Sequence, residues 1–279
     1  MEKITGKTFN EERALFSSKD LIIEDCSFIE GESPLKESSN IQLYNSTFSW
    51  KYPLWYSKDI LVKDCTLEES ARSGIWYTEN ITIDNTKIDA PKTFRNSKHI
   101  KLTRCNLPKA SETLWGCEDI KLTFVKANGD YFGAHSKDVE AEGLQLVGNY
   151  AFDSCQNVVI RNSRLDSKDA FWNCENVTLI NCTIIGEYIG WNTKKLTLIH
   201  CTVESHQGFC YVDGLIMHHC YVNNSDLIFE YCHDIDAEIV TVVDSIKNPY
   251  NGKIVVKDVK ELILDRKFIN PAKVKIIKQ

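Results

Sequence analysis

A short phrase recurs along the chain and constrains the fold more than any other feature. It reads Ser-Lys-Asp-Leu-Ile-Ile-Glu-Asp-Cys-Ser-Phe from Ser18, Ser-Lys-Asp-Ile-Leu-Val-Lys-Asp-Cys-Thr-Leu from Ser57 and Cys-Glu-Asn-Val-Thr-Leu-Ile-Asn-Cys-Thr-Ile from Cys174. The third residue of the phrase, usually Asp or Asn, is called the anchor below. The twelve anchors are Asp20, Asn40, Asp59, Asn80, His99, Asp119, Asp138, Asn157, Asn176, Lys195, Gly214 and Asp234. Their mean spacing of about 19.5 residues is typical of a solenoid.

Apolar residues alternate around each anchor. The first and third residues after it are branched and apolar in most copies, as in Ile60 and Val62. The sixth residue after the anchor is usually small, as in Cys65, and the eighth is usually apolar, as in Leu67. This period of two predicts two strands with one buried face each. A third strand is predicted before the anchor, for example over residues 74–77, 113–116 and 170–173.

The short period decides the fold class. No single turn can bury its own apolar face, so each strand is expected to stack on its equivalent one turn away. We predict an all-β, single-stranded right-handed parallel β-helix of about twelve coils, each 19–21 residues long. The rival left-handed β-helix requires a hexapeptide rhythm that is missing. One domain is expected over residues 1–279, with an N-terminal coil (1–17), a loop insertion (245–252) and C-terminal strands (253–279).

Charge and hydropathy narrow the expected partners. The formal net charge of −6 supplies no positive field for a phosphate backbone, so no nucleic-acid partner is expected. No apolar run approaches the ~18 residues of a membrane span and the first residues lack a signal-peptide pattern. We therefore expect no membrane partner and a cytoplasmic location. A basic tail is the local exception, and a solvated terminal strand is its ordinary interpretation: Arg266, Lys267, Lys273, Lys275 and Lys278.

The phrases Asp-Ile-Leu-Val-Lys-Asp-Cys-Thr-Leu and Asn-Val-Thr-Leu-Ile-Asn-Cys-Thr-Ile resemble coils of the pectate-lyase-like right-handed parallel β-helix superfamily. The resemblance covers nearly the whole chain. The short coils and the Phe/Leu-Trp phrases are also similar to a family of uncharacterised bacterial proteins that is classed as a domain of unknown function. The resemblance implies a β-helix and, by analogy, a carbohydrate-related role. The Asp cluster and Arg base of pectate lyases have no match here, so no catalytic residue is carried over.

Ten of the eleven cysteines fall in two columns. Cys26 exemplifies the column six residues after the anchor, and Cys117 the column two residues before it. Serine and threonine fill most of the other places, so small buried positions explain the cysteines better than disulfides or metal chemistry. Cys210 lies outside both columns and is the thiol expected to be exposed.

The column four residues before the anchor is called the tryptophan row. It holds five of the six tryptophans and one arginine: Trp55, Trp76, Arg95, Trp115, Trp172 and Trp191. Alternation points this column outward, away from the buried neighbour that precedes each residue. The row is either a stacking platform for a sugar, a surface for a partner or a second copy, or a ladder in which Arg95 is sandwiched between Trp76 and Trp115.

Two further groups are candidates for chemistry. Asp153 and Asp169 lie in adjacent coils near the row and form the best pair of carboxylates for a lyase or hydrolase. His200 and His219 share one turn position in consecutive coils. They could contribute to a metal site if a third ligand joined them, although a hydrogen-bonded turn ladder is the ordinary interpretation.

The sequence leaves three functions open. No phosphate loop, dinucleotide fingerprint or nucleophile with a positioned base is present, so no cofactor is expected. The leading hypothesis is saccharide or glycan binding along the tryptophan row. A carbohydrate-active lyase or hydrolase using Asp153 and Asp169 is the first alternative, and a structural or protein-interaction scaffold is the second.

Overall fold

The computed structural model describes residues 1–279 and has two β-strands in most turns of the repeat. The chain divides into unit 1, residues 1–145, and unit 2, residues 146–279. The strands of unit 1 are β1 (Glu2–Thr5), β2 (Thr8–Phe9), β3 (Lys19–Glu24), β4 (Ser27–Phe28), β5 (Ser39–Tyr44), β6 (Thr47–Phe48), β7 (Lys58–Lys63), β8 (Thr66–Leu67), β9 (Glu79–Asp84), β10 (Lys87–Ile88), β11 (Lys98–Thr103), β12 (Asn106–Leu107), β13 (Glu118–Thr123), β14 (Lys126–Asn128) and β15 (Lys137–Glu142).

The remaining strands continue the same pattern. They are β16 (Gln145–Val147), which contains the boundary between the units, β17 (Gln156–Arg161), β18 (Arg164–Asp166), β19 (Glu175–Ile180), β20 (Thr183–Glu187), β21 (Lys194–Ile199), β22 (Thr202–His206), β23 (Asp213–Asp226), β24 (His233–Lys247), β25 (Gly252–Ile263) and β26 (Val274–Lys278). Two 3₁₀ segments, Glu69–Ala71 and Pro271–Lys273, are the helical elements. None of the helices is long and apolar enough to cross a membrane.

Like strands pair in parallel from one turn to the next. In β3 and β5, Leu21 lies beside Ile41 and Ile23 beside Leu43, and all four side chains are buried. The short strands follow the same rule. The predicted fold class, an all-β right-handed parallel β-helix, is confirmed, and so is the burial of the first, third, sixth and eighth positions after the anchor.

The number of turns is slightly larger than predicted. Eight long strands lie in unit 1 and seven in unit 2, which makes fifteen turns where the anchors predicted about twelve. The additional turns contain β1, β25 and β26. Asn251 occupies the anchor position before β25, and its Nδ2 donates to Asp234 Oδ1 at 2.6 Å. The periodicity missed it because only 17 residues separate the two.

The third predicted strand does not form as a continuous element. Residues 74–77 and 113–116 hold only the isolated parallel bridges from Trp76 and Trp115 to Arg95, and residues 170–173 are a turn. Ile75, Leu114 and Phe171 are buried as expected. These three residues have positive φ angles of 58°, 58° and 59°, and such a left-handed backbone interrupts an extended strand. The turn still bonds to its neighbours: Ile75 N donates to Pro53 O in the preceding turn. The adjacent Tyr77 N donates to Arg95 O in the following one.

The predicted loop insertion at 245–252 is shorter than expected. Residues 245–247 complete β24 and Gly252 begins β25, so the loop comprises residues 248–251. The difference arises because Ser245 and Ile246 are buried against the interior, with exposures of 4% and 0%. The first seventeen residues form a turn whose β1 pairs with β3.

The core of unit 1 contains a column of phenylalanines. Phe28 lies 4.9 Å from Phe9 and 4.6 Å from Phe48, measured between ring centroids, with the three rings nearly parallel. Phe28 and Phe48 are 1% and 0% exposed. Phe28 therefore contacts an equivalent ring in each of its neighbouring turns.

We expect Phe28→Ala to lower the free energy of unfolding by about 3–5 kcal/mol, because it leaves a cavity between two stacked rings. Urea denaturation followed by circular dichroism measures this value. Phe124→Ala is the matched control, since Phe124 is 61% exposed. Equal losses in the two variants would contradict the role of the stacked column.

Candidate functional site

The tryptophan row of unit 1 forms a continuous stack. The rings of Trp55 and Trp76 are 5.2 Å apart with an angle of 8° between their planes. Arg95 follows, with its Cζ 4.9 Å from the Trp76 ring centroid and 5.4 Å from that of Trp115. The guanidinium therefore lies between two indoles, as the ladder hypothesis expects. One face of Trp76 is covered by Trp55 and the other by Arg95.

Hydrogen bonds hold the edges of these indoles against the next turn. Trp55 Nε1 donates to Ser73 O at 2.6 Å, and Trp76 Nε1 donates to Lys92 O at 2.8 Å. Both side chains are half-buried. The rings are thus fixed in a stack, and the surface that they present to solvent is their edges.

A carboxylate forms an ion pair with the arginine of this stack. Arg95 Nη2 donates to Glu112 Oε2 at 3.0 Å, and Lys92 Nζ lies 3.2 Å from Glu112 Oε1. Arg95 Nε is buried and has no hydrogen-bond partner. The guanidinium is held by one ion pair and two aromatic faces.

In unit 2 the row is less regular. The rings of Trp172 and Trp191 are 5.9 Å apart and tilted by 35°. Trp172 Nε1 donates to Tyr188 O at 2.8 Å, and Tyr150 contacts the Trp172 ring edge-on at 5.9 Å. Trp191 also contacts Tyr211, with centroids 5.1 Å apart and an angle of 47°. Both tryptophans are half-buried, and their rings do not cover each other completely.

Three other residues that lie four positions before an anchor point into the protein, so this column is not uniformly outward. Ala134, Cys210 and Glu230 are buried. Cys210 was predicted to be exposed, but it is fully buried and its Sγ donates to Gln207 O at 3.2 Å. Residues 207–211 form a turn and not a strand, so strand alternation does not fix the direction of this side chain, and burial raises the pKa of its thiol to about 12. Glu230 is satisfied by Lys247 Nζ at 2.8 Å.

The two cysteine columns have a structural cause. All eleven cysteines are free and buried. Cys26 Sγ donates to Glu24 O at 3.2 Å, and Ser46 Oγ, in the same column, donates to Tyr44 O at 2.7 Å. In the other column, Ser97 Oγ donates to Ile75 O and Cys117 Sγ to Phe94 O in the preceding turn. Most of these places hold a small donor for a nearby carbonyl, which thiols and hydroxyls both supply.

Asp153 and Asp169 differ in their surroundings. Asp153 is half-buried, and its Oδ1 accepts from Ser154 Oγ at 3.3 Å. Asp169 is only 4% exposed. Burial raises the pKa of Asp169, while the ammonium of Lys168 and a hydrogen bond from Tyr150 oppose that shift. A carboxyl group covered in this way is not open to a substrate.

The imidazoles of His200 and His219 lie in consecutive turns as predicted. Their ring centroids are 5.5 Å apart in an edge-to-face contact. His218 is also near His200, but its Nδ1 lies 2.9 Å from Glu238 Oε2. No group of three or more His, Cys, Asp or Glu side chains is arranged to hold a metal ion.

The sixth tryptophan lies outside the row and lines a cleft. Trp50 is 37% exposed, and no aromatic ring stacks on it. The cleft has a volume of about 470 Å³ and is also lined by Lys51, Glu69, Ser70, Arg72 and Pro91. Lys51 Nζ lies 5.0 Å from the Trp50 ring centroid. Sequence reasoning missed this residue because it follows no column, although its departure from the repeat was itself a signal.

The structure defines the chain as a parallel β-helix with an aromatic ladder, and the comparisons with known proteins refine that class. The chain belongs to the family described as "Protein of unknown function (DUF3737)", which matches residues 2–277. The predicted membership of an uncharacterised family is confirmed. No curated protein matches the chain.

Among solved structures, the chain is similar to the tailspike protein of E. coli bacteriophage HK620. A tailspike mutant in complex with a pentasaccharide is 8% identical with a TM-score of 0.44, and the match covers 97% of this chain and 67% of that one. A double mutant of the same tailspike is 10% identical with a TM-score of 0.41. That match covers 93% of this chain and 62% of the tailspike chain, so this chain spans less than two thirds of it. QnrB1, a plasmid-mediated fluoroquinolone resistance protein, is 13% identical with a TM-score of 0.24 and coverages of 80% and 91%. Because the family is described as one of unknown function, membership in it gives the chain no activity.

The raised pKa of Asp169 makes stability depend on pH. Between the ordinary Asp pKa of about 3.9 and the higher native value, the folded state binds more protons than the unfolded state. Stability contributed by this group is therefore lost as the pH rises through that window. We expect Asp169→Asn, which cannot ionise, to become progressively more stable relative to the wild type over the same pH range.

Urea unfolding at a series of pH values measures this difference. Asp213→Asn is the control, because the same change is made at an exposed carboxylate. Parallel pH curves for the wild type and Asp169→Asn would contradict the effect of burial.

Proposed function

We propose that the protein binds a saccharide, with the Trp50 cleft as the binding site. The observation that supports this proposal is a half-exposed indole beside Glu69, Ser70 and Arg72 in one concave surface. A sugar ring has an apolar C–H face that packs on an aromatic ring, and hydroxyl groups that bond to charged and polar side chains. Pockets that combine apolar walls with a few polar groups are the usual form of small-ligand sites.

The tryptophan row of unit 1 is less suited to stacking on a sugar ring than the Trp50 cleft is. A stacking platform needs a free aromatic face, and both faces of Trp76 are covered. In unit 2 the tilt between Trp172 and Trp191 leaves their rings partly uncovered, so the row there is the alternative location from which the experiment below must distinguish the Trp50 cleft. The Trp50 cleft contains no member of the row.

Calorimetric titration with a panel of neutral and acidic oligosaccharides tests the proposal. We expect saturable binding of at least one sugar by the wild type. Trp50→Ala should weaken that binding by about ten-fold or more, which corresponds to about 1.4 kcal/mol. Trp172→Ala, a substitution of the same kind in the row, should leave the affinity unchanged.

Two results would overturn this assignment. A loss of affinity in Trp172→Ala with none in Trp50→Ala would move the site to the row of unit 2. Absence of binding across the panel would argue against saccharide recognition altogether. Thermal unfolding of both variants shows whether the fold is retained.

Self-association is a second proposal, supported by a different observation. Tyr56 and Tyr77 are adjacent to the stacked tryptophans of unit 1 and are 51% and 43% exposed. Their rings lie 4.9 Å apart at an angle of 9°. Exposed aromatic patches of this kind are more typical of interaction surfaces than of isolated monomers.

Sedimentation velocity at increasing concentration tests self-association. We expect Tyr56→Asn with Tyr77→Asn to shift the protein toward the monomer, and Asn fits the site because Asn96 occupies the same position in the next turn with φ 49°. Tyr221→Asn, at a residue that is 43% exposed, is the control. A wild-type protein that stays monomeric at all concentrations would contradict the proposal.

A further inference from the structure

A cleft of about 450 Å³ lies among the last turns of unit 2 and combines cations with aromatic rings. Its cationic residues are Arg266, Lys267 and Lys273, and its rings are His233, Tyr250 and Phe268. No Asp or Glu lines it. The combination is unexpected in a chain whose net charge is −6.

The three cations are not engaged in ion pairs. The sequence predicted a tail of five cations without facing carboxylates, and Lys278 departs from this, since its Nζ lies 2.8 Å from Asp258 Oδ1. Arg266, Lys267 and Lys273 form no salt bridge. The nearby Asp265 uses Oδ1 to accept from the backbone N of Lys267 at 2.8 Å. The positive charge of the cleft is therefore largely uncompensated.

The wall that carries these cations is held in place. Ile269 is 5% exposed and anchors the segment in the interior. The backbone N of Phe268 and of Ile269 both donate to Asp265 O, and Asp265 N donates to Asn248 Oδ1 at 2.8 Å. Asn270 Oδ1 accepts from Ala272 N at 3.1 Å. The cations project from a hydrogen-bonded segment, which lowers the ordering cost of binding.

The aromatic side of the cleft is also preformed. His233 and Tyr250 stack with ring centroids 4.4 Å apart and an angle of 30°. Phe268 contacts Tyr231 edge-on at 6.5 Å and remains 58% exposed. A large exposed apolar ring beside unpaired cations offers one ligand both a stacking surface and an anion site.

We propose that this cleft binds a phosphorylated small molecule that carries a ring next to its phosphate. Three unpaired cations match a phosphate group, which carries close to two negative charges, better than a single carboxylate. Arg266 supplies the planar donor set that suits phosphate, and the lysines supply point charges. The volume lies within the range of small-molecule pockets and exceeds what inorganic phosphate needs, so the rings of Phe268 and Tyr250 have a second group to contact. A nucleotide and a sugar phosphate share this chemistry.

Calorimetry at low ionic strength with four probes tests the proposal: adenosine monophosphate, glucose 6-phosphate, inorganic phosphate and adenosine. We expect at least one of the two phosphate esters to bind more tightly than inorganic phosphate, and adenosine not to bind. Whichever ester binds more tightly identifies the ring. Raising the salt should weaken binding, since exposed charges are screened.

Variants locate the site. We expect Arg266→Gln with Lys273→Gln to weaken ester binding by about ten-fold or more. Phe268→Ala should weaken the ester and leave inorganic phosphate unchanged. Lys257→Gln is the matched control, since Lys257 is an exposed lysine of unit 2 that forms no salt bridge.

Three outcomes would overturn the proposal. They are the absence of binding by any phosphate compound, equal affinity for inorganic phosphate and both esters, and unchanged ester affinity in the Arg266→Gln/Lys273→Gln variant. An unchanged unfolding midpoint of each variant confirms that the fold persists. The Trp50 cleft is not touched by these substitutions, so failure here leaves the saccharide proposal intact.

Discussion

The hydrogen bond between one turn and the next is the interaction on which the rest of this structure depends. The backbone N–H and C=O groups of each turn must form hydrogen bonds with the neighbouring turns even at the corners, because buried backbone groups without partners are costly. The corners achieve this with left-handed residues. In the turn that contains Asn80, φ lies between +46° and +59° at Ser73, Ile75, Tyr77, Asn80 and Asn85. Such a conformation costs roughly 1–2 kcal/mol for a non-glycine residue, so it persists only where stacking and hydrogen bonds outweigh it.

Side-chain ladders reinforce the corners. Asn40 Nδ2 donates to Asp20 Oδ1 at 2.5 Å, and Asn80 Nδ2 donates to Asp59 Oδ1 at the same distance. Asp and Asn tolerate left-handed φ better than other residues with a Cβ, and stacked copies bond to each other. This explains why the anchor of the repeat is usually Asp or Asn. The column of Cys, Ser and Thr before the anchor has a similar role, because side chains such as Ser97 and Cys117 donate to a corner carbonyl in the preceding turn.

The same stacking determines what a repeated aromatic residue can do. A column of rings at the spacing of neighbouring turns becomes a ladder in which each ring covers its neighbour, as Trp55 and Trp76 do. Regular repetition therefore converts an aromatic column into structural support. Exposed rings also occur outside the columns, at Trp50 in unit 1 and at Phe268 in unit 2. These departures from the repeat mark aromatic surface that no ladder of equivalent residues covers.

Whether a residue lies in a periodic column also decides how well its position could be predicted from the sequence. The strands after each anchor follow from a period of two, which depends only on which side of the backbone is buried. The corners could not be predicted in the same way, because Ile75 and Leu114 have the pattern of a strand but a left-handed backbone. Cys210 was placed wrongly because it lies in a turn, where strand alternation does not give the direction of a side chain. The ladder around Arg95 was foreseen, whereas the clefts were not, since they depend on residues outside the periodic columns.

The basic tail contains both lysines on a paired strand and cations in an irregular segment before that strand. β26 pairs with β25 along one edge, and Lys275 and Lys278 within it are exposed. Lysines on such a strand discourage pairing with another chain, so the ordinary interpretation of a solvated terminal strand is sufficient for these two residues. Arg266 and Lys267 precede the strand, in a segment fixed by Ile269 and by hydrogen bonds to Asp265 and Asn248. Protection of a strand edge does not account for cations there, and a bound anion would relieve the repulsion between unpaired charges that share one cleft.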